Sequence, residues 1–212
     1  MLVDKTVTEF ADELASNAPM PGGGGAAALA GALGAALGLM VCNLTEGKEK
    51  FGYCQKEVGE IKQLGIQLKN ELTRYVDEDG LSFMKVMKAY KLPQSTPEEQ
   101  ADRNVAIQAA IKNAAHVSLK VADLCLEVMR LAAKIILVGN PNAASEAVAS
   151  GVVAFGGLQA AVCTVNINLC AIKDQGFVSE IKGKVNLMLD RAKQINEQIL
   201  ADADKVIVCP VS

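Results

Sequence analysis

An acidic cluster, Asp77-Glu78-Asp79-Gly80, interrupts an apolar helical repeat between Val76 and Phe83. Aspartate and glycine are poor residues for the middle of a helix, so their presence there asks for a reason. Asp79 lies three residues after Val76 and four before Phe83, beside the apolar stripe, where desolvation would raise its pKa. Asp79 is therefore a candidate for acid–base work, whereas the two preceding carboxylates fit an ordinary solvated face equally well.

A second cluster is the segment 139–146, which reads Gly-Asn-Pro-Asn-Ala-Ala-Ser-Glu. Glu146 opens an apolar stretch with no other charge before Lys173, and an isolated carboxylate at such an edge should be paired or functional. Its position in a first helical turn also suits the helix dipole, so simple capping is an equal alternative. Asn166 and Asn168 lie deep in the same stretch, where buried amides need partners and often orient a polar ligand.

A glycine run, Gly22 to Gly25, follows Pro21 inside a stretch, residues 14–45, that carries no charge. This pattern predicts a bare loop that opens a buried Ala-rich helix, whose free N–H groups suit an anion or a developing negative charge. A tight turn before a core helix is the alternative. A membrane span is disfavoured, because most of the residues are Gly and Ala and no Lys/Arg cluster or Trp/Tyr belt flanks them.

Composition narrows the class of protein. The net charge of −3 leaves no overall basic surface for nucleic acid. The single histidine, His116, reads as a helix-face residue and has no close cysteine pair with which to bind zinc. The start of the chain does not resemble a signal peptide. The cysteines lack CxxC spacing and read as small core residues of a reduced, cytoplasmic protein, with no disulfide or metal role: Cys42, Cys54, Cys125, Cys163, Cys170 and Cys209.

The apolar positions repeat at helical spacing almost throughout, which predicts an all-α multihelical bundle with long antiparallel helices in one domain, residues 1–212. Strand-like alternation is confined to the tail Val206-Ile207-Val208. Thr96-Pro97-Glu98-Glu99 is a helix start, with Ser118 as the candidate position of a bend in the helix that follows. The predicted helices span residues 8–16, 26–44, 48–90, 97–138, 143–172 and 174–206.

Two of these helices, 26–44 and 143–172, are almost uncharged, so all of their faces must be buried against other protein surfaces. A chain of this size can hide one of them comfortably. We therefore predict a homodimer with the glycine-bearing helix near the interface.

Together these motifs resemble the cyclodeaminase/cyclohydrolase family of folate enzymes, which includes the C-terminal domain of formiminotransferase-cyclodeaminase and stand-alone bacterial relatives. The match covers nearly the entire chain, with several motifs in matching order. They are Pro21-Gly22-Gly23-Gly24, Thr45-Glu46-Gly47-Lys48 before Phe51, Val76-Asp77-Glu78-Asp79 before Phe83, Leu92-Pro93, Thr96-Pro97-Glu98-Glu99, Gly139-Asn140, Ser145-Glu146 and Ile167-Asn168-Leu169.

The resemblance implies an all-helical cytoplasmic dimer that acts on the one-carbon unit at N5 and N10 of tetrahydrofolate, with no cofactor beyond this substrate. We expect a cyclohydrolase, which converts 5,10-methenyltetrahydrofolate to 10-formyltetrahydrofolate. The alternatives are a formiminotetrahydrofolate cyclodeaminase, with a separate formiminotransferase as a candidate partner, or a folate-binding dimer without catalysis. The family's catalytic aspartate falls on Asp79, which the resemblance makes the general base and acid.

The same resemblance supplies the expected substrate-binding residues. Backbone at Gly22, Gly23 and Gly24 would lie against the folate, and Lys48 would meet its glutamate carboxylate. Polar side chains would orient the pterin or the reacting nitrogen: Asn140, Ser145, Glu146 and Asn168. Two positions depart from the pattern, because relatives commonly carry serine at Gly25 and some carry proline at Ser118.

Overall fold

The protein is all-α, as predicted, in a computed structural model that describes residues 1–207. The long helices are joined by short connections, two of which contain a 3₁₀ turn, at Glu49–Cys54 and at Pro141–Ala143. Val208 of the predicted tail and Cys209 lie outside the described residues, and Val206 ends a helix rather than beginning a strand. The helices are α1 (Val7–Leu14), α2 (Gly23–Thr45), α3 (Gln55–Tyr90), α4 (Pro97–Val138), α5 (Ala144–Cys170) and α6 (Gln175–Val206).

The helix boundaries follow from local capping. Thr6 and Thr96 each accept a hydrogen bond from the backbone N–H three residues on and form capping boxes with Glu9 and Glu99, which confirms the helix start predicted at Thr96. Asp174 caps α6 through Phe177 N–H at 3.0 Å. Helix α4 continues without interruption through the candidate bend at Ser118.

Two predicted helix starts were wrong. The glycines were expected in a loop, yet Gly23 to Gly25 form the first turn of α2, with Gly22 as the N-cap. The helix expected from residue 48 begins at Gln55, because Gly47 has a positive φ of 73° and the backbone of Phe51 is non-helical. Sequence propensity alone penalises glycine in a helix, so the first error reflects tertiary contacts of α2.

Helix α2 lies in the centre of the fold and packs against α3, α4 and α5. Its glycines permit this close approach. A Cβ on Gly34 would fall 2.8 Å from the carbonyl oxygen of Ser150 in α5, and one on Gly31 would fall 2.6 Å from Cys125 Sγ in α4. Ser150 Oγ donates to the carbonyl of Gly34 at 2.7 Å, so α5 contacts the bare backbone of α2 directly.

The cysteines divide into two groups. Cys42, Cys54 and Cys125 are buried, and burial raises the pKa of the Cys42 thiol to about 11 and that of Cys125 to about 12. Cys163 and Cys170, in contrast, are exposed on α5. The prediction of a core role was therefore wrong for these two residues, because the outer face of α5 is apolar although it is not buried.

Two helical segments are long and apolar enough to cross a bilayer by length and composition: Gly23–Thr45 and Pro141–Cys170. Much of the first is buried inside the protein, as in the core helix of a soluble fold. The prediction that the glycine-bearing segment does not span a membrane stays a prediction, as does the single domain over 1–212.

Replacing Gly34 with alanine should destabilise the fold, because the new methyl group meets backbone atoms of α5 that cannot rotate away. We expect Gly34→Ala to lower the free energy of unfolding by about 1–3 kcal/mol in urea denaturation. Gly59→Ala in α3 is the matched control, since a Cβ there meets nothing within 4 Å. It should stabilise by about 0.5–1 kcal/mol through helix propensity. Equal effects of the two substitutions would contradict the packing argument.

Candidate functional site

A cavity of about 440 Å³ lies where the N-terminus of α2 meets the C-terminal part of α3. Helices α4 and α5 close its other sides. Among the residues that line it within the described chain, Asp79 is the one charged side chain. The lining residues are Pro19, Met20, Gly22, Gly23, Gly24, Asp79, Gly80, Ser82, Phe83, Val86, Tyr90, Ile111, Ala114, Ser118, Thr164, Ile167, Asn168 and Ala171.

The carboxylate of Asp79 rests against the glycine-built first turn of α2. A Cβ on Gly24 would fall 2.1 Å from Asp79 Oδ1, a distance at which two atoms cannot coexist. Burial raises the pKa of Asp79, and the backbone N–H of Gly25 opposes this rise to a smaller extent. Asp79 therefore takes up a proton at a higher pH than an exposed aspartate does, as a group that accepts and returns protons requires.

The three acidic side chains of the cluster on α3 have different surroundings. Asp77 Oδ1 accepts a hydrogen bond from Leu2 N–H at 2.6 Å and so fastens the N-terminal segment, while Glu78 pairs with Arg74 on the surface at 3.6 Å. Asp79 alone of the three lines the cavity. The structure thus separates Asp79, the acid–base candidate of the sequence, from Asp77 and Glu78, whose roles the sequence left open.

Helix α5 contributes two polar residues to the cavity, Thr164 and Asn168. Asn168 Nδ2 donates to the carbonyl of Thr164 at 2.9 Å, and within the described chain no donor contacts Asn168 Oδ1. Thr164 Oγ1 donates to the carbonyl of Ala160 at 3.2 Å and retains lone pairs that can accept. Asn166, also noted in the sequence, is exposed. Asn168 therefore lies in the cavity, as its predicted role requires.

Four of the predicted binding residues lie at the opposite end of α2. Helix α2 has 23 residues, about 33 Å of helix axis, so its C-terminus is far from Asp79 within one chain. Asn140 fastens that end: its N–H donates to Thr45 Oγ1 at 2.8 Å and its Nδ2 to the carbonyl of Leu44 at 3.2 Å. None of the four lines the cavity: Lys48, Asn140, Ser145 and Glu146.

The contacts of these distant residues are local. Ser145 Oγ donates to Glu146 Oε2 at 2.7 Å, and Lys48 is exposed ahead of the 3₁₀ turn. Asn140 Oδ1 accepts from Asn142 N–H at 3.1 Å, so the Asn140 side chain is occupied in joining the turn between α4 and α5 to the end of α2. Their predicted roles stay predictions, and one chain does not bring them to Asp79.

Sequence reasoning missed several cavity residues. Ser82 Oγ donates to the carbonyl of Asp79 at 2.8 Å, and Tyr90 stands at the cavity rim. Thr164 was detectable in principle, since its spacing of four from Asn168 places both on one helix face. For Ser82 and Tyr90 no sequence pattern distinguishes a cavity residue from an ordinary helix residue.

His116 and the acidic groups elsewhere give no sign of a metal centre. The ring of His116 packs edge-on against Phe177, with ring centres 5.1 Å apart. Across residues 1–207 no group of three His, Cys, Asp or Glu side chains is arranged to hold a metal ion. The chemistry available in the cavity is therefore that of one carboxyl group in a largely apolar space, which suits proton transfer and stabilisation of a cation.

Comparison with known proteins gives a consistent result. Residues 6–187 match the family model described as formiminotransferase-cyclodeaminase. The chain is 40% identical to methenyltetrahydrofolate cyclohydrolase of Methylorubrum extorquens, over 94% of this chain and 96% of that protein. It is 34% identical to formimidoyltransferase-cyclodeaminase of Gallus gallus over 96% of this chain, but it spans 38% of that protein.

A solved structure resembles the fold over its whole length. The crystal structure of formiminotetrahydrofolate cyclodeaminase from Thermotoga maritima superposes with a TM-score of 0.87 and 25% sequence identity. The superposition covers 98% of this chain and 100% of that one.

Gly24→Ala should disturb the site, because the added methyl group would occupy the position of Asp79 Oδ1. We expect a loss of about 1–3 kcal/mol in the free energy of unfolding, measured in urea. Gly23→Ala is the control: its Cβ would lie 3.7 Å from Thr164 Oγ1, an ordinary contact, so helix propensity should make it neutral or stabilising. A Gly24→Ala protein as stable as the Gly23→Ala protein would show that the carboxylate moves freely.

Proposed function

Because the chain belongs to the formiminotransferase-cyclodeaminase family, we propose that it is a folate one-carbon enzyme that hydrolyses 5,10-methenyltetrahydrofolate to 10-formyltetrahydrofolate. The 40% identical cyclohydrolase, which this chain matches over almost its full length, supports this reaction. The observation that carries the proposal is the cavity itself, where one buried carboxyl group faces an otherwise uncharged space.

The substrate's reacting centre is an amidinium-like cation, with the positive charge spread over N5, the bridging carbon and N10. An ionised Asp79 stabilises this charge in a largely apolar site, where electrostatic interactions are stronger than in water. The uncharged residues around Asp79 offer the cation no competing partner. The apolar side chains of Phe83, Val86 and Ile111 suit the flat ring systems of a folate.

Asp79 then moves one proton in each half of the reaction. It accepts a proton from the water molecule that adds to the bridging carbon, which gives a tetrahedral carbinol. It returns that proton to N5 as the bond between N5 and the carbon breaks. The carbinol loses its hydroxyl proton to solvent and becomes the formyl group on N10. A pKa raised by burial suits both steps, because the carboxyl group must accept and release a proton at similar cost.

A cyclodeaminase reaction is the second candidate. The Thermotoga maritima protein bears that name, and its chain is covered in full by the superposition. In this reaction N10 attacks the carbon of a 5-formimino group and ammonia leaves, so the same tetrahedral centre forms and the same carboxyl group can move the protons. A separate formiminotransferase is then the partner that supplies substrate. In either case we propose a cytoplasmic enzyme that needs no cofactor besides its folate.

We also propose that the long helices run antiparallel. Lys120 of α4 contacts Glu71 of α3 at 3.9 Å, and Arg103 contacts the carbonyl of Tyr90 at 3.1 Å. Followed in one direction, residue numbers thus rise along α3 and fall along the neighbouring α4. Helices α2 and α5 follow the same rule, since Gly34 meets Ser150 and Gly23 meets Thr164.

The protein acts as a homodimer, on our proposal, and the outer faces of α2 and α5 support it. Both faces are apolar and partly exposed: 53% of Leu33, 47% of Met40 and 69% of Ile167 is accessible. The accessible stripe along α2 holds no charge and repeats at helical spacing, with members Ala26, Ala30, Leu33, Leu37, Met40 and Leu44. A continuous apolar stripe of this kind is typical of an interface.

The dimer also offers a role for the distant binding residues. A two-fold axis that crosses α2 near its middle brings the C-terminal end of α2 in one protomer to the N-terminal end in its partner. Ser145 and Glu146 of one protomer would then approach the Asp79 cavity of the other. Ile167, which lines the cavity and is exposed, would lie at this junction.

Asp79→Asn should abolish turnover, because the amide can neither accept nor return a proton. We expect kcat for 5,10-methenyltetrahydrofolate to fall about 10²–10⁴-fold. Turnover is measured as the loss of the methenyl absorbance. Because burial raises the Asp79 pKa, the wild-type rate should decline on acidification at a higher pH than an exposed aspartate would give.

Glu78→Gln, which alters the neighbouring surface carboxylate, is the matched control for Asp79→Asn and should turn over normally. Gain of methenyl absorbance from 5-formiminotetrahydrofolate would instead identify a cyclodeaminase. No change with either folate would refute both reactions, and near-normal activity of Asp79→Asn would refute the assigned role.

Mixing two inactive variants should restore activity if the site is shared between protomers. Glu146→Gln and Asp79→Asn, refolded together, should regain about one quarter of wild-type activity, because half of the dimers are mixed and half of their sites are intact. Light scattering should give twice the mass of one chain at micromolar concentration. A monomeric mass would overturn the dimer, and a mixture as inactive as its components would overturn the shared site.

A further inference from the structure

Arg103 is not itself a lining residue of the cavity, but it is held against Tyr90, which is one. Its Nε and Nη2 atoms donate to the carbonyl of Tyr90 at 3.3 and 3.1 Å, and its guanidinium lies 5.7 Å from the centre of the Tyr90 ring. Arg103 is partly buried, whereas Tyr90 is 46% exposed. The guanidinium is thus fixed at the rim rather than free to swing in solvent.

The position of Arg103 on α4 continues the cavity wall. Arg103 precedes Ile111 by eight residues and Ser118 by fifteen, spacings that keep the three on one helix face. Ile111 and Ser118 both line the cavity. Arg103 therefore lies on the same side of α4, about 12 Å of helix axis before Ile111 and at the level of Tyr90 at the end of α3.

The charge of Arg103 has no partner within the part of the chain that the structure describes. Arg74 and Arg130 pair with Glu78 and Glu127 at 3.6 and 3.1 Å, yet no carboxylate lies within 4.0 Å of Arg103. Glu99, one helical turn away, is instead engaged in the capping box of α4. A guanidinium has five N–H donors, and the Tyr90 carbonyl takes two of them.

We propose that Arg103 binds the glutamate carboxylate of the folate substrate, an inference that rests on the proposed function. With the one-carbon bridge at Asp79, the p-aminobenzoyl ring lies along Phe83 and Val86 and the glutamate leaves past Tyr90. Asp79 and Tyr90 are eleven residues apart on α3, about 16 Å of helix axis. This span is compatible with the distance between the one-carbon bridge and the glutamate in folate. An arginine fork matches a carboxylate in shape and charge.

The sequence assigned the glutamate contact to Lys48, a role that stays a prediction. Lys48 is exposed near the C-terminus of α2, at the end opposite the Asp79 cavity. Arg103 was not singled out in the sequence, because an arginine in the first turns of a helix has no distinguishing pattern. Its role depends on the turn between α3 and α4, which returns the chain so that α4 lies beside Tyr90.

Two substrates that differ only in the glutamate test the proposal. Arg103→Gln should raise KM for 5,10-methenyltetrahydrofolate about 10-fold with kcat nearly unchanged, because the contact is remote from the reacting carbon. With 5,10-methenyltetrahydropteroate, which lacks the glutamate, wild type and Arg103→Gln should have the same KM. Arg103→Lys should recover part of the loss for the folate, since it keeps the charge but not the fork.

Arg130→Gln is the control, an arginine on the same helix far from the cavity, and it should leave KM for both compounds unchanged. An equal loss for both compounds in Arg103→Gln would mean that Arg103 only supports the end of α3, and it would overturn the proposal. An unchanged KM for the folate would overturn it as well. If the wild-type protein turned over neither compound, both the proposed function and this contact would be refuted.

Discussion

The fold and the site both depend on one close approach: the carboxylate of Asp79 occupies the space where a side chain at Gly24 would begin. The first turn of α2 can meet α3 at this distance only because it is built of glycine. The same contact buries Asp79, supplies the Gly25 N–H beside it and raises its pKa. A buried carboxyl group in the middle of a helix is costly, so its persistence at this point fits a functional rather than a structural purpose.

The remaining glycines of α2 extend this principle along the helix. Gly31 and Gly34 allow α4 and α5 to reach the backbone of α2, which leaves one side of that helix dry and tightly packed. The opposite side keeps an uncharged stripe that one chain does not cover. Helix α2 thus serves as the core of the protomer on one side and as the proposed subunit contact on the other.

In the proposed reaction the two ends of the cavity have different tasks, catalysis at one end and substrate binding at the other. At the inner end a single carboxyl group holds a cationic carbon and moves protons, and at the outer end a fixed guanidinium receives the tail of the substrate. Between them the walls are apolar and aromatic, which suits the flat rings of the substrate. Because the negative charge of Asp79 and the positive charge of Arg103 lie at opposite ends, the substrate has one favourable direction of entry.

The sequence by itself determined the helical class, the capped start at Thr96 and the choice of Asp79, because these depend on periodicity, capping and local propensity. It also indicated the folate family through motifs in fixed order. Only the tertiary structure decided that Gly23 to Gly25 are helical and that Asn140 and Glu146 lie far from Asp79 in one chain. The physical reason is that both features depend on which distant segments pack together: the neighbours of α2 override its propensity, and Asp79 and Asn140 pack at opposite ends of that helix.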